Sequence, residues 1–464
     1  MKPYSLNRIS VCVTLAVALF VLVVSFKSSR NFFAEKMQYS VSPAGDVNGD
    51  GYADVVMSIH TSEKETEGKV FLYYGAGKGM GNMPGWTGNC NQADANYGVS
   101  IANAGDVNGD GYADVIVGAS HYSNGETNEG AAFVYYGSAS GLSKTPSWTA
   151  EGSQANAFFG ISVAGNGDVN KDGYADVIIG AHYYDNGETN EGRVFVYYGS
   201  ANGLSKTPVW TAESNQVGAA FGKTVAIAGD VNHDGYADVL VGSPSYDNGQ
   251  NNEGRAFLYY GSVMGLATSP SWTGESNQAD ANFGNAMAPA GDLNGDGFSD
   301  IVVGANKFDE KEKSNAGKIF VYLGSANGYN YYPDWTYSGN QIDGNLGISV
   351  SGAGDINGDG FQDMIVGAYG YNPDAPKGNV YVFYGSRSGF ATTMVQISNQ
   401  DYPHAILGQS VAVAGDINGD GYADIIPGAI LDNDNMAKAM LLKGSAKGLL
   451  MAGAAGGTTS SVNP

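Results

Sequence analysis

The chain has 464 residues, 69 of them Gly and 30 Tyr, only 15% charged residues, and a formal net charge of −23. That acidity excludes a basic nucleic-acid-binding surface, and two Cys are too few for a disulfide-stapled scaffold. Abundant Gly and aromatics at regular spacing predict an all-β repeat protein.

Residues 1–36 stand apart from the repeats. Lys2 and Arg8 precede an apolar run from Ile9 to Phe26, and Lys27 and Arg30 follow it. As a helix this run would span about 27 Å, barely the thickness of a bilayer. It reads as an N-terminal signal peptide or signal anchor, and the chain is expected to be exported and extracellular or at the cell surface. No Ala-x-Ala site follows it, and charges on both flanks leave its orientation open. Cys12 lies in this run and Cys90 in the first repeat, so the two are not expected to pair. No Asn-x-Ser/Thr acceptor is present.

From Met37 one nonapeptide recurs seven times, with starts 60, 62, 62, 62, 63 and 61 residues apart. Its first position is Asp46, Asp106, Asp168, Asp230, Asp292, Asp355 and Asp416. Its third is Asn48, Asn108, Asn170, Asn232, Asn294, Asn357 and Asn418. Its fifth is Asp50, Asp110, Asp172, Asp234, Asp296, Asp359 and Asp420, and a Gly follows each time. Its seventh is Tyr52, Tyr112, Tyr174, Tyr236, Phe298, Phe361 and Tyr422. Its ninth is Asp54, Asp114, Asp176, Asp238, Asp300, Asp363 and Asp424. Calcium takes six to eight oxygens, and alternate side chains of a tight Gly-containing loop can supply them. The first, third, fifth and ninth side chains and the seventh backbone carbonyl are therefore candidate ligands for up to seven Ca2+. An EF-hand needs an acid at position twelve. Here that position is Met57, Val117, Ile179, Val241, Val303, Val366 or Pro427, so the loop enters a strand. Seven divalent cations would bring the net charge to about −9.

Each repeat reads as four short strands between Gly- and Asn-rich turns. In the third, these are Phe159–Ala164, the loop at Asp168, Asp176–Ala181, Arg193–Tyr198, and a strand around Val209–Thr211. The second strand is apolar throughout, as a strand buried on both faces would be. A four-stranded antiparallel meander repeated seven times predicts a seven-bladed β-propeller over residues 37–452, with a disordered tail at 453–464. Trp86, Trp148, Trp210, Trp272 and Trp335 fall in fourth strands, where blade-to-blade packing explains them better than a ligand cage.

Phe159-Gly160, Phe221-Gly222 and Phe283-Gly284, with Gly180-Ala181, resemble the FG-GAP repeat of integrin alpha-chain propellers. Tyr97-Gly98, Leu346-Gly347 and Leu407-Gly408 are relaxed versions. The resemblance covers roughly residues 37–450. It implies seven blades, calcium in the loop between strands one and two, and surface adhesion through protein or glycan ligands. Similar propellers occur in bacterial surface proteins and fungal lectins. Blade one departs from the pattern, with Met37-Gln38 for Phe-Gly and Met57-Ser58-Ile59 around the Gly-Ala position. All seven loops are intact here, unlike most integrin chains. No leg domain, inserted adhesion domain or tail follows, so signalling through a β partner is not carried over. Blade seven lacks an evident fourth strand, and Leu449–Ala452 or Asn31–Ala34 are the candidates for it.

No enzyme motif is found: HExxH, Walker loop and GxSxG are absent, and Gly160-Ile-Ser162 and Gly408-Gln-Ser410 lack the closing Gly. His60, His121, His182, His233 and His404 form no catalytic pattern. The chain is read as a non-enzyme. Alternating connections put the Asp-rich loops with the strand three–four turns on one face, and the strand two–three and four–one loops on the other. Asn124–Gly130, Asn186–Gly192 and Asn248–Gly254 are nearly identical and read as structural turns. Divergent Phe308, Tyr369 and Tyr371 are the candidate ligand surface. The favoured function is an exported, calcium-binding adhesion or protein-interaction module. A carbohydrate-binding propeller is the alternative. The expected partner is a surface protein or glycan, with membrane contact only through the N-terminal segment.

Overall fold

The computed structural model describes residues 23–25, 37–61, 68–81, 83–370, 377–398, 405–431, 436–450 and 459–461. Strand two of each repeat opens directly from the ninth-position Asp. In the third repeat it is Asp176–Ala181, buried along its whole length as the unbroken apolar run requires. It pairs antiparallel with Ser162–Gly167 on one side and Arg193–Tyr197 on the other, and Trp210–Glu213 completes the sheet. Six sheets follow this meander in strict chain order. They are antiparallel blades of an all-β propeller, one per repeat; five have four strands, and the sixth carries a fifth strand at its outer edge.

The seventh sheet differs. Ala405–Gly415, Asp424–Leu431 and Met436–Met440 come from the last repeat, and Val23–Ser25 lies along the outer edge against Met436–Met440. Among the described residues the outermost strand of this sheet is therefore Val23–Ser25, which neither expected segment includes. Asn31–Ala34 lies outside the described residues, and Lys443 bridges Leu450 in a separate pair. Within the span expected as a tail, Thr459–Ser461 pairs with the outer strand Gly389–Ser398 of the sixth sheet.

The core does not sit inside single blades. Each buried apolar cluster joins two successive sheets. Val70, Leu72 and Trp86 of the first pack with Tyr97, Val115 and Phe133 of the second. Val41, Val55 and Tyr73 of the first likewise pack with Ala412, Ile417 and Ile426 of the seventh. Sheet seven therefore returns to sheet one.

Two glycines bring neighbouring blades together. Gly180 of strand two faces the Gly222 carbonyl of the next blade, and a Cβ there would collide with that oxygen. Gly118–Gly160, Gly242–Gly284, Gly304–Gly347 and Gly367–Gly408 repeat the contact. A hydroxyl further along strand one completes it. Ser100 Oγ donates to Gly160 O at 2.8 Å, Ser162 to Gly222 O at 2.8 Å, Thr224 to Gly284 O at 2.6 Å and Ser349 to Gly408 O at 2.9 Å. The departure in blade one now has a reason. Ser58 stands at the Gly position, and its Oγ donates to Gly98 O at 2.6 Å, converting a close approach into a hydrogen bond. The aromatic or Leu side chain before each of these strand-one glycines is buried completely or nearly so, as at Tyr97, Phe159, Phe221, Phe283, Leu346 and Leu407.

The Trp residues pack between blades as expected. Trp86, Trp148, Trp210 and Trp272 donate Nε1–H to carbonyls of Ser143, Ser205, Ala267 and Asn330 in the next blade, at 2.8–3.1 Å. Their rings meet the edges of Tyr135, Tyr197, Tyr259 and Tyr322 at 4.7–4.9 Å.

Gly180→Ala should destabilise the chain by on the order of 1–3 kcal/mol, the usual cost of overpacking. Gly81→Ala, whose Cβ would meet nothing closer than 3.7 Å, should be nearly neutral. Denaturant unfolding of the two variants checks this, and equal midpoints would refute the blade-contact account.

Candidate functional site: the Asp-rich loops and the opposite face

The nonapeptide is a compact loop held by its own side chains. In the first copy Asp46 Oδ1 accepts from Gly49 N at 2.7 Å and Asp50 N at 3.1 Å, and Oδ2 from Gly51 N at 2.8 Å. Asn48 Oδ1 accepts from Asp50 N at 3.0 Å, and Asp50 Oδ1 from Tyr52 N at 3.0 Å. The sixth position needs φ near +90°, as Gly51 at +88° and Gly173 at +93° show, which explains the invariant Gly across the copies. The fourth position is also left-handed. Lys171 and His233 adopt it at φ 60° and 61° without the freedom of Gly.

The ninth Asp behaves differently from the other two. Asp54 is fully buried. Its Oδ2 accepts from Val47 N at 3.0 Å and its Oδ1 from Gly75 N at 2.9 Å, tying the loop to the strand three–four turn. Asp114, Asp176, Asp238, Asp300 and Asp363 make the same pair of bonds. Asp424 keeps the bond to the turn Gly444 at 3.0 Å. Burial pushes each of these carboxyls up to about 7, opposed by the two backbone bonds and reinforced by the neighbouring Asp charges. Sequence reasoning missed this second task, because spacing alone does not show where a carboxylate turns. Among the described residues no group of three or more His, Cys, Asp or Glu converges as a metal cluster.

The loops are also linked to each other. The eighth N–H of each copy donates to the first-position carbonyl of the copy before it: Ala113 to Asp46 at 3.1 Å, Ala175 to Asp106, Ala237 to Asp168, Ser299 to Asp230, Gln362 to Asp292 and Ala423 to Asp355. Ala53 to Asp416 at 3.4 Å closes the series. The seventh-position ring lies against the fourth residue of the preceding copy. Tyr112 covers Gly49, Tyr174 covers Gly109 and Tyr52 covers Gly419. Lys171 Nζ sits 5.5 Å from the Tyr236 ring centre, and His233 stacks edgewise on Phe298 at 5.7 Å.

On the other face, the near-identical turns are structural. Glu129 is buried and its Oε1 accepts from Asn124 N at 2.6 Å, with Glu191 and Glu253 equivalent. Asn124 Nδ2 reaches Glu151 across the blade. Phe308 takes the place of Tyr122, Tyr184 and Tyr246. Like them it packs on its own blade's strand-three Phe, here Phe320 at 6.0 Å, with Lys318 Nζ 4.8 Å from its ring centre. Its ring is thus packed into the blade on one side and half-buried. Tyr369 is half-buried and its carbonyl accepts from Asn345, while Tyr371 lies outside the described residues. Of the histidines, His182 is buried, and burial with the nearby Lys223 and His121 charges pushes it down to about 3. His404 lies outside the described residues.

Asp238→Asn should cost about 1–3 kcal/mol without any metal, because an amide cannot accept on both sides and leaves a buried N–H opposed. Exposed Asp234→Asn should change stability by about 0.5 kcal/mol or less under the same chelated conditions. Unfolding in EGTA separates them, and equal losses would remove the structural role of the ninth Asp.

His182 gives a pH prediction with a definite sign. Its folded pKa of about 3 lies below the unfolded value of about 6.5. The stability it contributes is present above that unfolded value and is lost as pH falls from it toward 3. His182→Gln should flatten the difference in unfolding free energy between pH 7.5 and pH 5, relative to the parent chain. An unchanged difference would show that His182 is not held neutral.

Residues 46–117 match the FG-GAP-like repeat family, and residues 159–197, 221–259, 283–322, 346–383 and 407–429 match the FG-GAP repeat family. The chain is 31% identical over 222 residues to Integrin alpha-V of Gallus gallus, which covers 46% of this chain and 20% of that protein. It is 30% identical over 230 residues to Integrin alpha-8 of Homo sapiens (48% and 20%) and 34% identical over 218 residues to Integrin alpha-3 of Cricetulus griseus (46% and 20%). It thus matches about a fifth of the length of these relatives. The matched segments follow the repeats that build the blades, and the chain belongs to the FG-GAP repeat family as an integrin alpha-like β-propeller.

Proposed function

We propose that the chain is an exported, calcium-binding, seven-bladed propeller that works as a cell-surface adhesion or protein-interaction module. The observation that carries this reading is the pairing of an integrin alpha-like propeller with seven chained loops of identical donor chemistry on one face. The other face is left for recognition.

The donor set fits calcium. Each loop offers three carboxylates, an amide oxygen and a backbone carbonyl, all hard oxygens with no nitrogen or sulfur. In the fourth copy Asp230, Asn232, Asp234, Asp238 and the Tyr236 carbonyl would hold the ion, and the other copies correspond. A bound divalent cation supplies charge neutralisation within the loop. The chain's own residues do the rest. The ninth Asp anchors the loop to the turn, and the eighth N–H and seventh ring pass its position to the next blade. As in other extracellular modules, binding at roughly 10⁻⁴–10⁻³ M is expected.

Calcium in excess of its dissociation constant should stabilise the folded chain by mass action. EGTA should lower the melting temperature, and in calcium Asp234→Ala should bind one calcium fewer and melt below the parent chain. Ligand binding at low temperature should survive Asp234→Ala. Capture of surface proteins on the immobilised calcium-loaded chain, beside a glycan array, tests the function. Protein capture retained by the variant supports the module. Repeated glycan hits without protein capture would transfer the reading to a lectin. An EGTA-insensitive melting curve with no metal in the purified chain would remove calcium from it.

A further inference from the structure

Eleven Asn-Gly pairs stand in the sequence, and the fold treats them unequally. Asn followed by Gly is prone to cyclise, because the Gly nitrogen can approach the Asn carboxamide carbon with no side chain in the way. Loss of the N–H proton uncovers an electron pair where the hydrogen was. An N–H pinned to another oxygen therefore aims that pair away from the carboxamide. In five of the Asp-rich loops the Gly N–H is pinned to the first-position Asp at 2.7 Å: Gly49 to Asp46, Gly109 to Asp106, Gly295 to Asp292, Gly358 to Asp355 and Gly419 to Asp416. Gly203 and Gly328 donate to the Ser200 and Ser325 carbonyls at 2.7 Å, and Gly167 lies in the strand ladder against Asp176.

Three pairs differ, and all lie in strand two–three turns on the face opposite the Asp-rich loops. They are Asn124-Gly125, Asn186-Gly187 and Asn248-Gly249. The buried Glu129 takes the N–H on either side, from Asn124 at 2.6 Å and Glu126 at 3.4 Å, and passes over that of Gly125. Glu191 and Glu253 do the same around Gly187 and Gly249. Among the described residues no hydrogen bond holds the N–H of these three glycines. They adopt φ 110–114°, with nothing within 4 Å of where a Cβ would stand, so a ring has room to close. Each pair is exposed.

We propose that Asn124, Asn186 and Asn248 are modification sites, at which the chain converts spontaneously to aspartate and isoaspartate. The Gly nitrogen bonds to Asn Cγ, the Cγ–Nδ2 bond breaks, and ammonia leaves with the proton lost from the Gly nitrogen. Water then opens the cyclic imide at either carbonyl, and the atoms balance with water alone. The consequence is local. Asn124 Nδ2 donates to the two Glu151 oxygens at 3.0 and 3.1 Å, Asn186 to both of Glu213 at 2.9 Å, and Asn248 to Glu275 at 2.8 Å. Each bond ties the turn to strand four. A carboxylate in place of the amide faces that Glu as a like charge and releases the turn. In blades three and four Arg193 and Arg255 lie 3.7 and 3.8 Å from Glu213 and Glu275 and soften the repulsion. Blade two has Ala131 at that position, so its turn is the one that conversion loosens most.

The test is to hold the full chain at mildly alkaline pH, below its melting temperature, and map its peptides by mass spectrometry that separates aspartate from isoaspartate. Conversion at the three turn sites is expected at least about tenfold faster than at the pinned pairs, the factor that a charge-assisted N–H bond supplies. The order should be the same in calcium and in EGTA, because the pinning bonds form within the chain, and it should vanish in denaturant. Asp-rich loops that convert as fast as the turns in the folded chain overturn the proposal. So does the same order in denaturant, which would place the cause in the sequence and not in the fold. Asn124→Asp should lower the melting temperature more than Asn186→Asp does, and equal losses would overturn the assigned consequence.

Discussion

A buried carboxylate bonded on both oxygens organises each complete blade. It is the ninth residue of a loop that reads as a metal motif, and its first observable task is structural. Asp238 holds the loop through Val231 N and the strand three–four turn through Gly261 N, so two connections distant in sequence become one platform. A buried ionised group is costly unless it is paired or bonded, and two N–H donors offset only part of that cost. All seven carboxyls are accordingly shifted upward, first by burial and further by the neighbouring Asp charges. A cation at the loop would lower it further, so metal binding and blade integrity draw on the same atom.

From that platform the order spreads sideways. Once the loop is fixed, the first-position carbonyl can accept the next copy's eighth N–H and the fourth residue can receive the next copy's aromatic ring. On the opposite side of the blade, the Gly–Gly approach and the hydroxyl-to-carbonyl bond do the same work. At the six junctions from sheet one to sheet seven, each sheet is therefore held to its neighbour at both ends, with a shared apolar cluster between. A linear array would sum such terms. Here Ala53–Asp416 and Tyr52–Gly419 return the last copy to the first, so the loss of one junction is felt around the ring.

The repeat, the strand order and the inter-blade Trp residues were legible because they depend on local pattern: two-residue alternation, turn chemistry and fixed spacing. The loop ligand positions were legible as composition only. The carboxylate that turns inward and the two that stay outward look alike in sequence. Ser58 appeared as a defect at a Gly position, and only a carbonyl 40 residues away shows it to be a substitute contact. The edge strand Val23–Ser25 was hidden for a similar reason. It comes from a segment whose hydropathy points to a membrane or export role, and edge pairing carries little sequence signal. The packing role of Phe308 was hidden because its loop diverges while its ring keeps the place of Tyr122, Tyr184 and Tyr246.

Near-identity across repeats marks structure, and so function should be sought where one copy departs at a cost. By that criterion the Asp-rich face is uniform: seven loops with one donor set and one linkage. The opposite face is not. Phe158 accepts a backbone conformation suited to Asn, His182 keeps a buried nitrogen unpaired, and Lys223 replaces the apolar or neutral residue found after the Gly in other blades, such as Val99, Ile161, Asn285 and Ile348. The strained Phe158 backbone and the unpaired His182 nitrogen are each unfavourable alone, and ring contacts with His121 and Tyr183 offset part of that cost. This divides the molecule into a repetitive face that sustains the ring and one junction where the repeat departs from its own pattern.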